Sequence, residues 1–105
     1  MSMTITSANF ESEVLQSPIP VLIDFWAPWC GSCKMMSFLV DQVAEKYAGR
    51  IKIGKVNVAE EGGLAEQHNI VSLPTLVIYQ YGAIFQQKVG GVSKQDLENF
   101  FKDVV

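Results

Sequence analysis

The two cysteines of this 105-residue chain, Cys30 and Cys33, are separated only by Gly31 and Ser32. At this spacing the two sulfurs can meet and close a short disulfide ring. The pair lies where a predicted buried strand ends and the longest predicted helix begins, and the N-terminus of a helix favours a thiolate, the nucleophilic form of cysteine. We therefore predict that Cys30 attacks, and that the inward-facing Cys33 keeps its proton to higher pH and acts as the resolving thiol.

Other uses of two cysteines are less well supported by the residues. Zinc takes four ligands, and besides the cysteines the chain offers one distant histidine, His68. An iron–sulfur cluster shared between two chains stays open, as do two cysteines without a redox role. The prediction is thiol–disulfide exchange, with no metal and no cofactor.

Composition argues against several classes of protein. The net charge is -3 and the eight basic residues are scattered, which does not favour a nucleic-acid surface. No apolar run approaches the ~18 residues that cross a bilayer, and the N-terminus lacks the pattern of a signal peptide. We expect a cytoplasmic protein with no membrane partner. In a reducing cytosol a purely structural disulfide is not expected to persist.

Hydrophobic periodicity predicts the elements that position the cysteines. Apolar or alternating runs predict five strands, over residues 3–6, 21–25, 51–58, 75–80 and 83–89. Apolar residues at three- and four-residue spacing predict four helices. The first is capped by Ser7 or Asn9 and ends near Gln16, with Phe10, Val14 and Leu15 on one face. The second runs from Cys30 to a terminator at Gly49, the third from Gly62 to about His68, and the fourth is capped by Ser93. Tyr81-Gly82 predicts a hairpin turn.

The predicted order of elements is β-α-β-α-β-α-β-β-α. Strands separated by helices indicate parallel pairing through right-handed crossovers, and the closing hairpin adds antiparallel strands. The predicted fold class is α/β, with a mixed five-stranded sheet flanked by about four helices on its two faces. A chain of this length suits a single domain over residues 1–105.

The segment Trp-Ala-Pro-Trp-Cys-Gly-Ser-Cys-Lys at residues 26–34 is similar to the W-A-x-W-C-G-P-C-K signature of the thioredoxin family. Further residues continue the resemblance in order along essentially the whole chain: Asp24, Lys55, Leu73-Pro74-Thr75, Gly82 and Val89-Gly90. The resemblance implies a thioredoxin-like fold and a monomer that reduces protein disulfides through a mixed disulfide. It also implies an electron donor of the thioredoxin-reductase type.

The resemblance gives Asp24 and Lys55 roles in proton transfer. Asp24 would accept the proton of Cys33, through water, and a carboxyl group within an apolar strand should have a raised pKa. The alternative for Asp24 is a salt-bridged core acid. Lys55 would be the partner that tempers its pKa, or else an ordinary surface lysine at a strand edge.

The resemblance also implies a substrate-binding surface. Pro74 would be a cis-proline beside the sulfurs, and Leu73 would offer its backbone N–H and C=O to an extended substrate. Trp29, Gly31, Leu73, Val89 and Gly90 would form a flat apolar docking surface. The alternatives are a trans-proline that starts a strand and isolated apolar residues of an ordinary surface.

The chain departs from the family pattern at two positions near the cysteines. Ser32 replaces the usual proline and adds an N–H and a hydroxyl, so we expect Gly31 and Ser32 to tune the redox potential toward a more oxidising couple. Phe38 replaces a helix-kinking proline, so the helix can run straighter. The competing hypotheses are a dedicated oxidant or isomerase, and a redox-silent docking subunit that uses the apolar surface around Trp29.

Overall fold

The computed structural model describes residues 2–102 and residue 104. Five strands form one sheet: β1 (Met3–Thr4), β2 (Val21–Trp26), β3 (Lys52–Asn57), β4 (Thr75–Gln80) and β5 (Ala83–Val89). Three α-helices and one π-helix accompany them within the described residues: the π-helix (Glu11–Leu15), α1 (Gly31–Lys46), α2 (Gly62–Gln67) and α3 (Lys94–Phe101).

The sheet has the strand order β1-β3-β2-β4-β5. Strands β1, β3 and β2 are parallel, whereas β4 pairs antiparallel with β2 and β5 pairs antiparallel with β4. The predicted mixed five-stranded α/β fold is confirmed. The apolar strand β2 is the central strand of the sheet, and both of its faces are covered.

Alternate residues of β2 point into two different cores. Leu22 packs with the apolar face of α1 and with α3, whereas Ile23 and Phe25 pack in a second core on the other face of the sheet. Side chains alternate along a strand, so Asp24 points to the same face as Leu22. The one carboxyl group of β2 therefore lies on the face that packs against α1.

The helix predicted from Ser7 or Asn9 differs in the structure. The Asn9 Oδ1 accepts the N–H of Thr6 at 2.8 Å, and its amide donates to the Thr4 carbonyl at 3.0 Å, so Asn9 closes a turn instead of capping a helix. A π-helix follows, with the N–H of Gln16 bonded to the Glu11 carbonyl at 3.0 Å. The predicted cap is wrong, and Leu15 is exposed rather than buried with Val14.

Helix α1 begins where the sequence predicts. Cys30 is its N-cap, and the 16-residue helix continues without interruption past Phe38, where the family pattern has a proline. After the helix, Gly49 adopts a φ of +86°, a left-handed conformation that favours glycine. The helix is therefore one continuous element from the cysteines to the far end of the sheet.

The hairpin between β4 and β5 is confirmed. Tyr81 and Gly82 have φ angles of 56° and 79°, as a two-residue turn with the favoured twist requires. A Cβ atom at Gly82 would lie 3.1 Å from the Leu15 carbonyl oxygen, so a side chain there would also be crowded. At the start of α3, the predicted cap is confirmed because the Ser93 side chain accepts the N–H of Asp96 at 3.1 Å.

Candidate active site

The two cysteines lie where the loop after β2 enters α1. The Cys30 N–H donates to the Ala27 carbonyl at 3.1 Å, which turns the chain from the strand toward the helix. Cys30 and Cys33 are joined by a disulfide, with Cα atoms 5.3 Å apart. Cys33 is 1% exposed, whereas Cys30 is only partly buried. Of the two bonded residues, Cys30 is therefore the one that a large molecule can approach.

Hydrogen-bond donors face the sulfur of Cys30. The backbone N–H of Cys33 donates to it at 3.2 Å, and the Ser32 hydroxyl lies 3.6 Å away. A sulfur in a disulfide carries no proton, so the hydroxyl is the donor in that contact. Gly31 is exposed, and a Cβ atom built on it would meet nothing within 4 Å. Its lack of a side chain leaves the approach to the disulfide open.

Asp24 is fully buried beneath this loop. Among the residues that the structure describes, no donor contacts either of its carboxylate oxygens. Burial raises the pKa of Asp24 from 3.8 to about 7, against the lowering effect of the Lys55 charge and with a smaller rise due to Asp41. Asp24 is thus a carboxyl group that can take up or release a proton near neutral pH.

Lys55 is the neighbour of Asp24 in the strand pairing of β2 and β3. Its ammonium nevertheless bonds to α1: Nζ lies 2.5 Å from the Ser37 Oγ, 3.4 Å from the Ser37 carbonyl oxygen and 2.9 Å from the Asp41 Oδ1. The Lys55 side chain is 17% exposed. It is therefore neither a surface lysine nor the salt-bridge partner of Asp24, although its charge still acts on that carboxyl group.

A cavity of about 330 Å³ opens beside the buried end of this site. Its walls include Trp26, Cys33, Ser37 and Lys55. The last two residues carry polar groups, and the space is large enough for several water molecules. The cavity offers a route by which water reaches the buried sulfur.

The Leu73–Pro74 peptide bond is cis, and Pro74 is buried. Thr75 pairs with Phe25 in the sheet, so Pro74 lies level with the end of β2, where the loop to the cysteines begins. The Pro74 carbonyl accepts the N–H of Gly90 at 2.8 Å. The structure thus brings the Leu73-Pro74 segment and the end of β5 to the same edge as the disulfide.

The rim of this edge is apolar and exposed. Trp29 is 72% exposed and Val89 is 57% exposed. Trp26, which precedes the loop, is only partly buried and lines the cavity.

His68 lies apart from the cysteines. Its ring packs against Phe25 in the core on the opposite face of the sheet from α1. One ring nitrogen is 2.8 Å from the Leu64 carbonyl oxygen, and the other contacts the Tyr79 hydroxyl. Within residues 2–102 and 104, no three His, Cys, Asp or Glu side chains form a group that could hold a metal ion.

Sequence reasoning missed two residues of the site, Ser37 and Asp41. Both lie on α1 at four-residue intervals from Cys33, so the three side chains share one helix face. That spacing was a usable signal, because it places a hydroxyl and a carboxylate on the same helix face as the buried thiol.

Comparison with known proteins supports a family assignment. The sequence model of the thioredoxin family matches residues 1–103. The chain belongs to the thioredoxin family. It is 46% identical to thioredoxin 1 of Synechococcus elongatus, over 94% of this chain and 92% of the relative. It is also 44% identical to a thioredoxin of Haemophilus influenzae, over 91% of this chain and 90% of that relative.

Membership of the thioredoxin family, together with the bonded cysteine pair, makes this chain a thiol–disulfide oxidoreductase and a protein-disulfide reductase. The predicted family and reaction class are confirmed. Thioredoxins act on protein substrates and depend on a reductase partner. In the part of the chain that the structure describes, no helix is long and apolar enough to cross a membrane.

Proposed function

We propose that the chain reduces disulfides of substrate proteins through a mixed disulfide on Cys30. The Cys30 thiolate attacks one sulfur of the substrate disulfide, which breaks and leaves a substrate thiolate that takes up a proton. Cys33 then loses its proton and attacks the Cys30 sulfur, and the substrate leaves with its second thiol. The substrate gains two electrons, and the cysteine pair is oxidised to its disulfide.

The observation that carries this proposal is the difference in exposure between two sulfurs that are bonded to each other. Cys33 is 1% exposed, so a protein disulfide cannot reach it, whereas Cys30 is partly exposed at a helix N-terminus. The N–H of Cys33 and the hydroxyl of Ser32 face the Cys30 sulfur and would stabilise its thiolate. Attack by Cys30 and release by Cys33 follow from this asymmetry.

Asp24 is proposed as the acceptor of the Cys33 proton. A group with a pKa of about 7 is suited to proton transfer near neutral pH, since it is neither always charged nor always neutral there. The cavity reaches Cys33 but Asp24 does not line it, so a transfer through water would need a water molecule to enter between the two residues. Lys55 contributes its charge at a distance.

The rim around Trp29 is proposed as the substrate-binding surface. Within the described residues, neither the N–H nor the C=O of Leu73 forms a hydrogen bond, so both are free to pair with an extended substrate strand. Trp29, Val89 and Gly90 would contact the flanking substrate residues. We further propose that the chain acts as a cytoplasmic monomer and is reduced again by a thioredoxin-reductase-type protein.

Trapping of the mixed disulfide tests this mechanism. Cys33→Ser removes the resolving thiol, so the reduced variant is expected to accumulate a covalent adduct with a disulfide-containing protein such as insulin. Cys30→Ser is the matched control and is expected to form no adduct, because the remaining thiol is buried. Non-reducing electrophoresis and mass spectrometry measure the adduct. An equal yield of adduct from both variants would contradict the assignment of the nucleophile.

Ser32→Pro tests the proposed tuning of the redox potential. The proline variant lacks the N–H and the hydroxyl at this position, so we expect its couple to be more reducing than that of the parent. A difference of ~30 mV corresponds to about 1.4 kcal/mol, roughly one charge-assisted hydrogen bond. Equilibration with glutathione buffers measures the potential.

Ser32→Ala is the control for Ser32→Pro because it keeps the N–H and removes only the hydroxyl that lies 3.6 Å from the sulfur. We expect its potential to fall between those of the other two proteins. A parent that is as reducing as the proline variant, or more so, would refute the role of Ser32.

A further inference from the structure

The contacts of the Lys55 ammonium within the described residues are all with α1. A lysine ammonium has three N–H donors, and three acceptors of α1 lie within reach: the Ser37 hydroxyl, the Ser37 carbonyl and the Asp41 carboxylate. Asp24, its direct neighbour in the strand register, accepts none of them. The cation that pairs with Asp24 in the strand register thus bonds to another element.

We propose that Ser37 and Asp41 are positioning residues that hold the Lys55 ammonium on α1 and thereby prevent an ion pair with Asp24. This inference rests on the proposed function of Asp24 as the proton acceptor. We refer to Ser37 and Asp41 together as the lysine clamp.

The lysine clamp has a chemical consequence for Asp24. A cation in direct contact with a carboxylate favours its charged form and makes it a poorer base. With Lys55 held on α1, Asp24 remains an unpaired buried group that takes up a proton near neutral pH. Ser37 and Asp41 would therefore set the strength of the base without touching the reacting sulfurs.

Asp41 is itself held in place by two donors. Its Oδ1 accepts from Lys55 at 2.9 Å and from the Ser2 hydroxyl at 2.7 Å. Burial would raise the pKa of Asp41, but the hydrogen bonds from Lys55 and Ser2 outweigh that effect and lower it. Asp41 therefore stays charged and keeps its attraction for Lys55 through the pH range in which Asp24 titrates.

The surroundings of Asp24 leave few other groups that could produce the same effect. The charges that act on it are Lys55 on β3 and Asp41 on α1. Cys33 is the titratable thiol of α1, and it is bonded in the oxidised protein. On the other side of β2, the residue of β4 that pairs with Asp24 is the apolar Leu76. A change in the acidity of Asp24 on substitution of Ser37 thus reports on Lys55.

The test is a pH titration of the Asp24 carboxyl carbon by NMR on the oxidised protein, with Asp24→Asn used to assign the signal. In Ser37→Ala one donor of Lys55 is released toward Asp24, so the acid dissociation constant of Asp24 is expected to rise at least about tenfold. Asp41→Asn is expected to act in the same direction, because it releases Lys55 and also removes a like charge that acts on Asp24. Ser37→Ala changes no charge and is therefore the variant that decides. Ser37→Thr keeps the hydroxyl and is expected to restore the parent titration.

Lys55→Met provides a change of opposite sign. It removes the cation altogether, so the acid dissociation constant of Asp24 is expected to fall below that of the parent. An unchanged or weaker acid in Ser37→Ala would overturn the proposal, as would a threonine variant that behaves like the alanine variant.

The titration involves no disulfide exchange, so its outcome can be read whether or not Asp24 accepts the Cys33 proton. A parent that fails to reduce insulin while Asp24 titrates as expected would refute the function and support the lysine clamp. If the parent reduces insulin but the acid dissociation constant of Asp24 does not change in Ser37→Ala, the function is supported and the lysine clamp is refuted.

Discussion

Replacement of Cys30 with serine is expected to lower the rate of insulin reduction with dithiothreitol to the uncatalysed rate. Removal of an enzyme's nucleophile costs on the order of a thousandfold or more in rate, and the remaining thiol cannot substitute because Cys33 is 1% exposed. Serine is a favoured N-cap residue, so the variant is expected to keep the start of α1 and lose only the chemistry. The precipitation of reduced insulin chains measures the rate.

Cys33→Ser is the comparison for Cys30→Ser. It keeps the attacking sulfur, and dithiothreitol can release the trapped substrate slowly, so its rate is expected to lie between those of the parent and the Cys30 variant. If Cys30→Ser retained more activity than Cys33→Ser, the order of attack and release would be reversed.

Asp24→Asn is expected to gain stability relative to the parent as the pH rises. Below 3.8 the carboxyl group is protonated in the folded and unfolded states alike. Above 3.8 it ionises in the unfolded chain but not in the folded protein, whose pKa for Asp24 is about 7. The parent therefore loses stability as the pH rises toward 7, and asparagine has no charge to bury. The difference between 3.8 and about 7 corresponds to about 4 kcal/mol in total.

Between about pH 5 and about pH 9 the advantage of the asparagine variant is expected to grow by about 3 kcal/mol. Guanidinium unfolding of the oxidised proteins, followed by tryptophan fluorescence, measures it. Asp96→Asn removes an exposed aspartate of α3 and is expected to show no such growth. A difference between the Asp24 variant and the parent that stays constant with pH would show that Asp24 is not a buried titrating acid.

The elements that carry the cysteines could be predicted because local rules agree there. The apolar run of β2 stops at a proline-containing loop, and α1 follows with a regular apolar face and a left-handed glycine after its end. The position of Asp24 within the apolar run was enough to indicate a buried acid. Turn chemistry likewise fixed the hairpin at Tyr81 and Gly82.

Two features could not be predicted: the hydrogen-bond partners of the Asn9 side chain and those of the Lys55 ammonium. Asn9 has the chemistry of a helix cap, but its side chain bonds to Thr4 and Thr6 instead. Lys55 has Asp24 beside it in the sheet, but its ammonium reaches the helix packed above. Hydrophobic periodicity predicts which face of a helix or strand is buried. It does not predict which of several nearby groups a polar side chain will bond to, so neither outcome could be predicted from the sequence.

The sulfur that reacts is also the acceptor for the backbone N–H of Cys33, in the first turn of α1. A thiolate, a mixed disulfide and an internal disulfide all leave lone pairs on that atom, so the Cys33 N–H keeps a partner at each stage. The helix start therefore need not be rebuilt between half-reactions. Disulfide exchange at Cys30 can therefore proceed without a change in the backbone of α1, because the reacting sulfur also caps the helix.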